Sequence, residues 1–96
     1  MARRQYLISY DISDDKRRNR VFETLKDYAE RVQFSVFFAA LSKIELVELR
    51  AKLTEAINNR DDQIIVLDLG DEKSPLDDIL ECLGRRYNPP SRVQVV

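Results

Sequence analysis

The chain has 96 residues, 44% of them hydrophobic and 34% charged, a balance that excludes a disordered tail and leaves material for one compact domain. Sixteen Lys and Arg against 17 Asp and Glu give a net charge of −1, so no global field draws the protein to nucleic acid or a membrane surface and any polyanion site has to be a local patch. There is no histidine, which removes the commonest general base and transition-metal ligand and leaves any catalysis to carboxylates.

Gln5 to Asp11 is predicted as the first strand, with Tyr6, Ile8 and Tyr10 on one face and Leu7 and Ser9 on the other. Ser13 stands where a helix N-cap belongs, and Val21, Phe22, Leu25, Tyr28 and Ala29 then recur at helical spacing, so a helix is predicted over about residues 14 to 28. Arg31 to Leu41 is rich in β-formers and forms either one long bent strand or two strands joined by a tight turn near Ser35. Ser42-Lys43-Ile44-Glu45 is a capping box, and Leu46, Leu49, Leu53, Ala56 and Ile57 follow on one stripe of a second helix running to about Asn58. Gln63 to Leu69 reads as a strand ended by Gly70.

Ser74-Pro75 caps a short helix through Leu83, and Arg92 to Val96, after Pro89-Pro90, reads as a terminal edge strand in a variable extension covering residues 71–96. Cys82, the one cysteine, cannot close an intrachain disulfide and reads as a buried thiol in a cytoplasmic protein. The N-terminal apolar run stops at Asp11, short of an export signal, and no stretch approaches the ~20 apolar residues of a membrane span.

Strand, helix, strand or hairpin, helix, strand in one short chain points to a ferredoxin-like α+β sandwich with both helices on one face of an antiparallel sheet. Strands apolar on both sides, such as Ile64 to Leu67, then leave a second apolar face that water would not cover favourably. A second copy packed through the sheets is the expected cover, hence a homodimer.

Asp11 falls where the first strand runs out, a position that suits a metal ligand or acid–base group and equally suits a turn-former accepting backbone N–H bonds. Asp14 and Asp15 fit a first helical turn, where carboxylates complement the helix dipole. Lys16, Arg17, Arg18 and Arg20 span too little helix to face one way and fan out around its start. With Arg31, Arg3 and Arg4 they offer guanidinium forks for a phosphate backbone beside Asp11, and Mg²⁺ is the expected cation because it takes oxygen ligands and needs one or two carboxylates. Two Asp11 carboxylates brought together across a dimer axis would repel and recruit such a cation. Phe34, Phe37 and Phe38 offer rings to bases, but Val36-Phe37-Phe38-Ala39 reads first as core. No glycine-rich loop is present to cradle a nucleotide.

The segment YDISDDKRRNR, followed after one helix by ERVQFSVF and then a capped helix, resembles the CRISPR-associated protein 2 family, the small subunit of the CRISPR adaptation machinery. The resemblance implies a ferredoxin-like homodimer, a metal-dependent endonuclease on RNA or double-stranded DNA, and a subunit bridging the integrase that captures new spacers. A non-catalytic scaffold that binds duplex DNA and bridges the integrase subunits is the alternative within the same family. By resemblance, Asp11 is the metal-binding catalytic aspartate, with Tyr10, Ser35 and Phe37 at catalytic positions. Arg18, Arg20 and Arg31 fall on positions tied to activity or substrate contact, and Arg17 joins them as a nucleic-acid-binding residue of the same cluster. Two departures from the family pattern are Ala29, where many members have Gly, and Phe38, where an acidic residue often follows the Ser-Val-Phe motif.

Overall fold

The computed structural model describes residues 2–71, 75 and 79–85. In chain order the elements are β1 (Arg4–Asp11), α1 (Asp15–Lys26), β2 (Glu30–Gln33), β3 (Val36–Leu41), α2 (Lys43–Ala56) and β4 (Gln63–Asp71). The four strands form one sheet in the order β2-β3-β1-β4, with every neighbouring pair antiparallel. This is the ferredoxin-like α+β arrangement expected from the element order, with β1 flanked on both sides.

Strand alternation decides what the sheet buries. Tyr6, Ile8 and Tyr10 of β1 and Phe37, Ala39 and Leu41 of β3 point toward the helices and are buried there with Val21 and Leu25 of α1 and Leu49, Leu53 and Ala56 of α2. Phe37, Ile8, Leu25, Leu49 and Val21 are the largest side chains fully excluded from water. Among the described residues no helix lies over the opposite face. Leu7 pairs with Phe38 on one side and Leu67 on the other, and Ser9 with Val36 and Ile65, so two cross-strand rows of mostly apolar side chains line that face. Ile65 and Leu67 keep 54% and 52% of their surface exposed, which is the uncovered apolar face expected from the sequence.

The segment from Arg31 to Leu41 is two strands, with Phe34 and Ser35 forming the turn between them. Among the described residues no non-glycine has a positive φ, so this is not the mirror-image turn that matches strand twist; a register shift between Arg31 and Gln33 absorbs the misfit. The capping box of α2 is present in full: Glu45 N–H donates to Ser42 Oγ at 3.2 Å and Ser42 N–H donates to Glu45 Oε1 at 2.9 Å. The stripe read for α2 is also the buried one, although the helix closes at Ala56 rather than Asn58.

Three local expectations need correction. Asp14, not Ser13, caps α1: its carboxylate accepts the Arg17 N–H at 2.9 Å, and the helix ends at Lys26 with Asp27 as C-cap. Gly70 does not end β4. Its φ of +101° lets the chain bend at the register shift opposite Gln5 and Tyr6, its N–H donates to Asp68 Oδ1 at 2.9 Å, and the strand continues to Asp71. Cys82 is exposed rather than buried, and residues 80–85 lie outside any helix, so the expected short helix does not reach Leu83. The residues 86–96 that would hold the terminal strand lie outside the described residues, as does most of the stretch that would begin that helix.

A buried ion pair fixes how α1 leaves the sheet. The Arg17 guanidinium donates through Nε at 2.7 Å and Nη2 at 3.3 Å to the two oxygens of Asp62, whose side chain is fully excluded from water, and Asn58 N–H donates to the same carboxylate at 2.8 Å. The Arg17 hydrogen bond, then the Asn58 N–H, hold the Asp62 carboxyl below the ordinary aspartate range. Because the folded-state value is depressed, this stabilisation is complete above the unfolded value of about 3.9 and is lost as pH falls through that value toward the lower folded one. Thermal unfolding followed from about pH 6 to pH 3 is expected to show a steeper acid limb for the wild type than for Asp62→Asn, and parallel limbs would rule the pair out as its source.

Candidate functional site

β1 delivers two neighbouring side chains to opposite sides of the sheet. Tyr10 is buried on the helix side, its ring centroid 6.2 Å from that of Phe37, while its backbone N–H donates to the Ser35 carbonyl at 3.2 Å. Asp11, the last strand residue, is exposed, pairs in register with Gln63 and by alternation belongs to the uncovered face with Leu7 and Ser9. Strand pairing on rigid backbone therefore positions the carboxylate, and the turn of residues 12–14 releases the chain into α1 immediately after it.

Among the described residues no three Asp, Glu, Cys or His side chains converge as a metal cage. At the end of β1 the donor is the exposed Asp11 carboxylate, since Asp14 caps α1 and Asp15 pairs with Arg18. That fits Mg²⁺, which keeps several waters and is held by one or two protein carboxylates, and it does not fit a cation that demands a full protein shell. Asp11 is the residue that would hold it.

The arginines separate according to their faces of α1. Arg18 Nη1 donates to the carbonyls of Ile12 at 3.1 Å and Ser13 at 3.2 Å, with Nη2 paired to Asp15 at 2.5 Å, so this side chain staples the turn that follows Asp11. Arg31, across from Phe37 in the β2–β3 ladder, donates through Nε at 3.2 Å and Nη2 at 3.1 Å to the Phe34 carbonyl. Its guanidinium carbon lies 5.0 Å from the ring centroids of both Phe22 and Phe34. Tyr10, Arg18, Asn19, Phe22, Arg31 and Phe34 together line a cavity of about 290 Å³. Arg20 is exposed on another side of α1, beside Lys52 and Glu55 of α2. Arg17 turns to Asp62, and its fork is occupied there.

The structure thus brings Tyr10, Arg18 and Arg31 to one cavity, with the turn of Ser35 against the Tyr10 backbone, and sets Asp11 one residue away on the other face. It does not gather Arg17 or Arg20 there. Phe37 is wholly buried and touches the cavity only through its neighbours, packing on Tyr10 and edge-on to Phe22 at 5.9 Å. Arg3 and Arg4 lie at the far end of β1, roughly 23 Å from Asp11 at about 3.3 Å per residue, so they are not part of a track beside it. There Arg3 binds Glu45 and the Ala40 carbonyl, and Arg4 pairs with Asp68 at 3.0 Å. A larger hollow of about 590 Å³, lined by Arg3, Glu45 and Glu48, belongs to that same remote end.

One partner of the arginine cluster and one residue of the site escape sequence reasoning. Asp62 is joined to Arg17 across 45 positions, with no local pattern to mark the pair. Phe34 was visible only as one of several aromatics, since its exposure follows from where the turn falls.

The described helices include none long and apolar enough to cross a membrane. Comparison with known proteins agrees with the geometry. The sequence profile described as "CRISPR associated protein Cas2" matches residues 4–74. The chain is 30% identical over 91 residues to the CRISPR-associated endoribonuclease Cas2 of Geobacter sulfurreducens, covering 95% of each, and 34% identical over 90 residues to the Cas2 2 endoribonuclease of Thermodesulfovibrio yellowstonii, covering 94% and 93%. Among solved structures it superposes on Streptococcus pyogenes Cas2 with a TM-score of 0.73 at 30% identity, covering 83% of this chain and 99% of that one. The hypothetical protein TT1823 of Thermus thermophilus gives 0.77 at 32% identity, over 92% and 99%. With the four-stranded sheet, the two helices on one face and the Tyr10-Asp11 strand end all in the matched region, the chain belongs to the CRISPR-associated Cas2 family.

Proposed function

We propose that the chain is a metal-dependent endonuclease of CRISPR spacer acquisition. It cleaves phosphodiesters of RNA, double-stranded DNA or both as a homodimer in which the Asp11 carboxylates would hold Mg²⁺, and it joins an integrase subunit. The endoribonuclease names of the relatives support nuclease chemistry. The observation that carries the finer reading is the place of Asp11: an exposed carboxylate on the apolar face that no described helix covers. Two copies meeting through that face bury Leu7, Phe38, Ile65 and Leu67 and bring two carboxylates to the seam.

Mg²⁺ bound there supplies polarisation of a phosphoryl oxygen and an acidified water. The chain's own residues do the positioning. Tyr10, fixed between Phe37 and the β2–β3 turn, holds the strand end, while Arg18 ties down the carbonyls of Ile12 and Ser13 so that Asp11 keeps one orientation. Arg31 keeps Nη1 free of protein acceptors among the described residues and offers it to a phosphate oxygen.

The dimer is tested by light scattering at micromolar protein. Twice the 11.3 kDa chain mass is expected for the wild type, with Leu67→Arg shifting the population toward the single-chain mass because it inserts an unpaired charge in the seam. A wild-type chain that runs alone at every concentration overturns the arrangement. Cleavage is tested with RNA and duplex DNA in Mg²⁺ and in EDTA. One observation favours the second reading, a non-catalytic scaffold that binds duplex DNA: among the described residues no three metal-ligating side chains of a single chain converge. Duplex binding with no turnover in any metal would support that scaffold.

A further inference from the structure

Phe34 sits at the tip of the β2–β3 turn with 73% of its surface exposed, although burial is the ordinary fate of a ring that size. It is not loosely placed. Arg31 stacks on it at 5.0 Å, is held there by two hydrogen bonds to Phe34's own carbonyl, and rests on Phe22 at 5.0 Å from the other side of the same cavity. Tyr10 Oη donates to that carbonyl too, at 3.5 Å. An aromatic face presented rigidly to solvent beside a guanidinium whose Nη1 meets no acceptor among the described residues matches the two halves of a nucleotide, a flat base and an anionic phosphate. The cavity of about 290 Å³ is at the lower edge of small-molecule sites, room for one flat ring system rather than a larger ligand. Bases inside a duplex keep both faces covered by their neighbours, so a base that stacks on Phe34 has to be unpaired.

We infer that Phe34 and Arg31 form a stacking platform for one unpaired nucleobase, which selects single-stranded or splayed nucleic acid at the end of β1. The inference rests on the nuclease reading and deepens it by naming the substrate form. Phe34 touches the substrate in this scheme without taking part in bond breaking.

The test uses the full-length protein and a single-stranded oligoribonucleotide carrying 2-aminopurine, alongside a duplex of the same sequence. Binding to the wild type should change the 2-aminopurine fluorescence of the single strand. Phe34→Ala should remove that change and weaken single-strand binding by roughly tenfold or more, with duplex affinity unaltered. Phe34→Leu, which keeps apolar bulk but no π face, should behave like the alanine variant, and Phe34→Trp should restore both signals. Unchanged melting of Phe34→Ala, expected for so exposed a ring, separates the effect from misfolding. If Phe34→Ala binds the single strand as tightly as wild type with the same fluorescence change, the platform is wrong and the nuclease reading survives. If the wild type binds neither single strand nor duplex, both fall.

Discussion

Replacing Phe37 with alanine should cost about 3–5 kcal/mol of folding stability, the usual penalty for emptying a buried aromatic site. For a chain this short that corresponds to a fall in melting temperature of about 15 °C or more. The ring is completely excluded from water and packs on Tyr10 and Phe22, and its strand partner is Ile8, so its loss opens a cavity in the layer between sheet and helices. Thermal or urea unfolding gives the direct measurement. The family resemblance implies an activity role for this position, and a second readout separates the two meanings. Phe37→Leu fills most of the volume, so it should regain much of the stability, and cleavage per folded molecule should recover with it. A variant as stable as wild type yet inactive would mean that the ring itself meets the substrate.

Asp11→Ala should behave in the opposite way. Its side chain is exposed at a strand end, with no hydrogen bond to the described residues, so melting should move little. Cleavage should fall at least a hundredfold, because charge stabilisation by a held cation supplies several kcal/mol and each 1.4 kcal/mol is a factor of ten. Asp11→Asn keeps the shape and one oxygen but removes the charge that retains the cation, and it should be nearly as inactive, with only partial rescue at high Mg²⁺. Initial rates against metal concentration check both variants. Equal rates for wild type and Asp11→Ala would transfer any observed cleavage to a different residue or a contaminant.

Features governed by near neighbours in sequence were legible before the fold was known. The Ser42–Glu45 capping box depends on groups three positions apart, and the α2 stripe on helical spacing alone, so both could be read directly. The place of Asp11 at the strand end was legible for the same reason: it is the first charge to follow the alternating run from Tyr6 to Tyr10. The choice between Ser13 and Asp14 as cap was not, since either side chain can accept the orphan N–H and the length of the turn leaving β1 decides. Gly70 reads as a stop from composition, yet the pairing of Gln5 and Tyr6 with β4 turns it into a bend within a continuing strand.

The arginine cluster marks the limit most clearly. Four cations in five positions can be recognised, but whether each meets solvent or an internal acid depends on tertiary partners. Arg17 is taken by an aspartate 45 positions away, and Arg18 by two carbonyls of the preceding turn. Composition therefore overstated how many guanidinium groups remain for a ligand.

Because Tyr10 and Asp11 occupy successive places on an alternating backbone, the length of β1 is as strict a requirement as the identity of either residue. Deleting one amino acid inside it, such as Ser9, would swap the phenol and the acid between the two sides of the molecule relative to the buried Tyr6 and Ile8 while altering neither. Gene variants in this region should therefore tolerate exchanges of type far better than single-codon gains or losses.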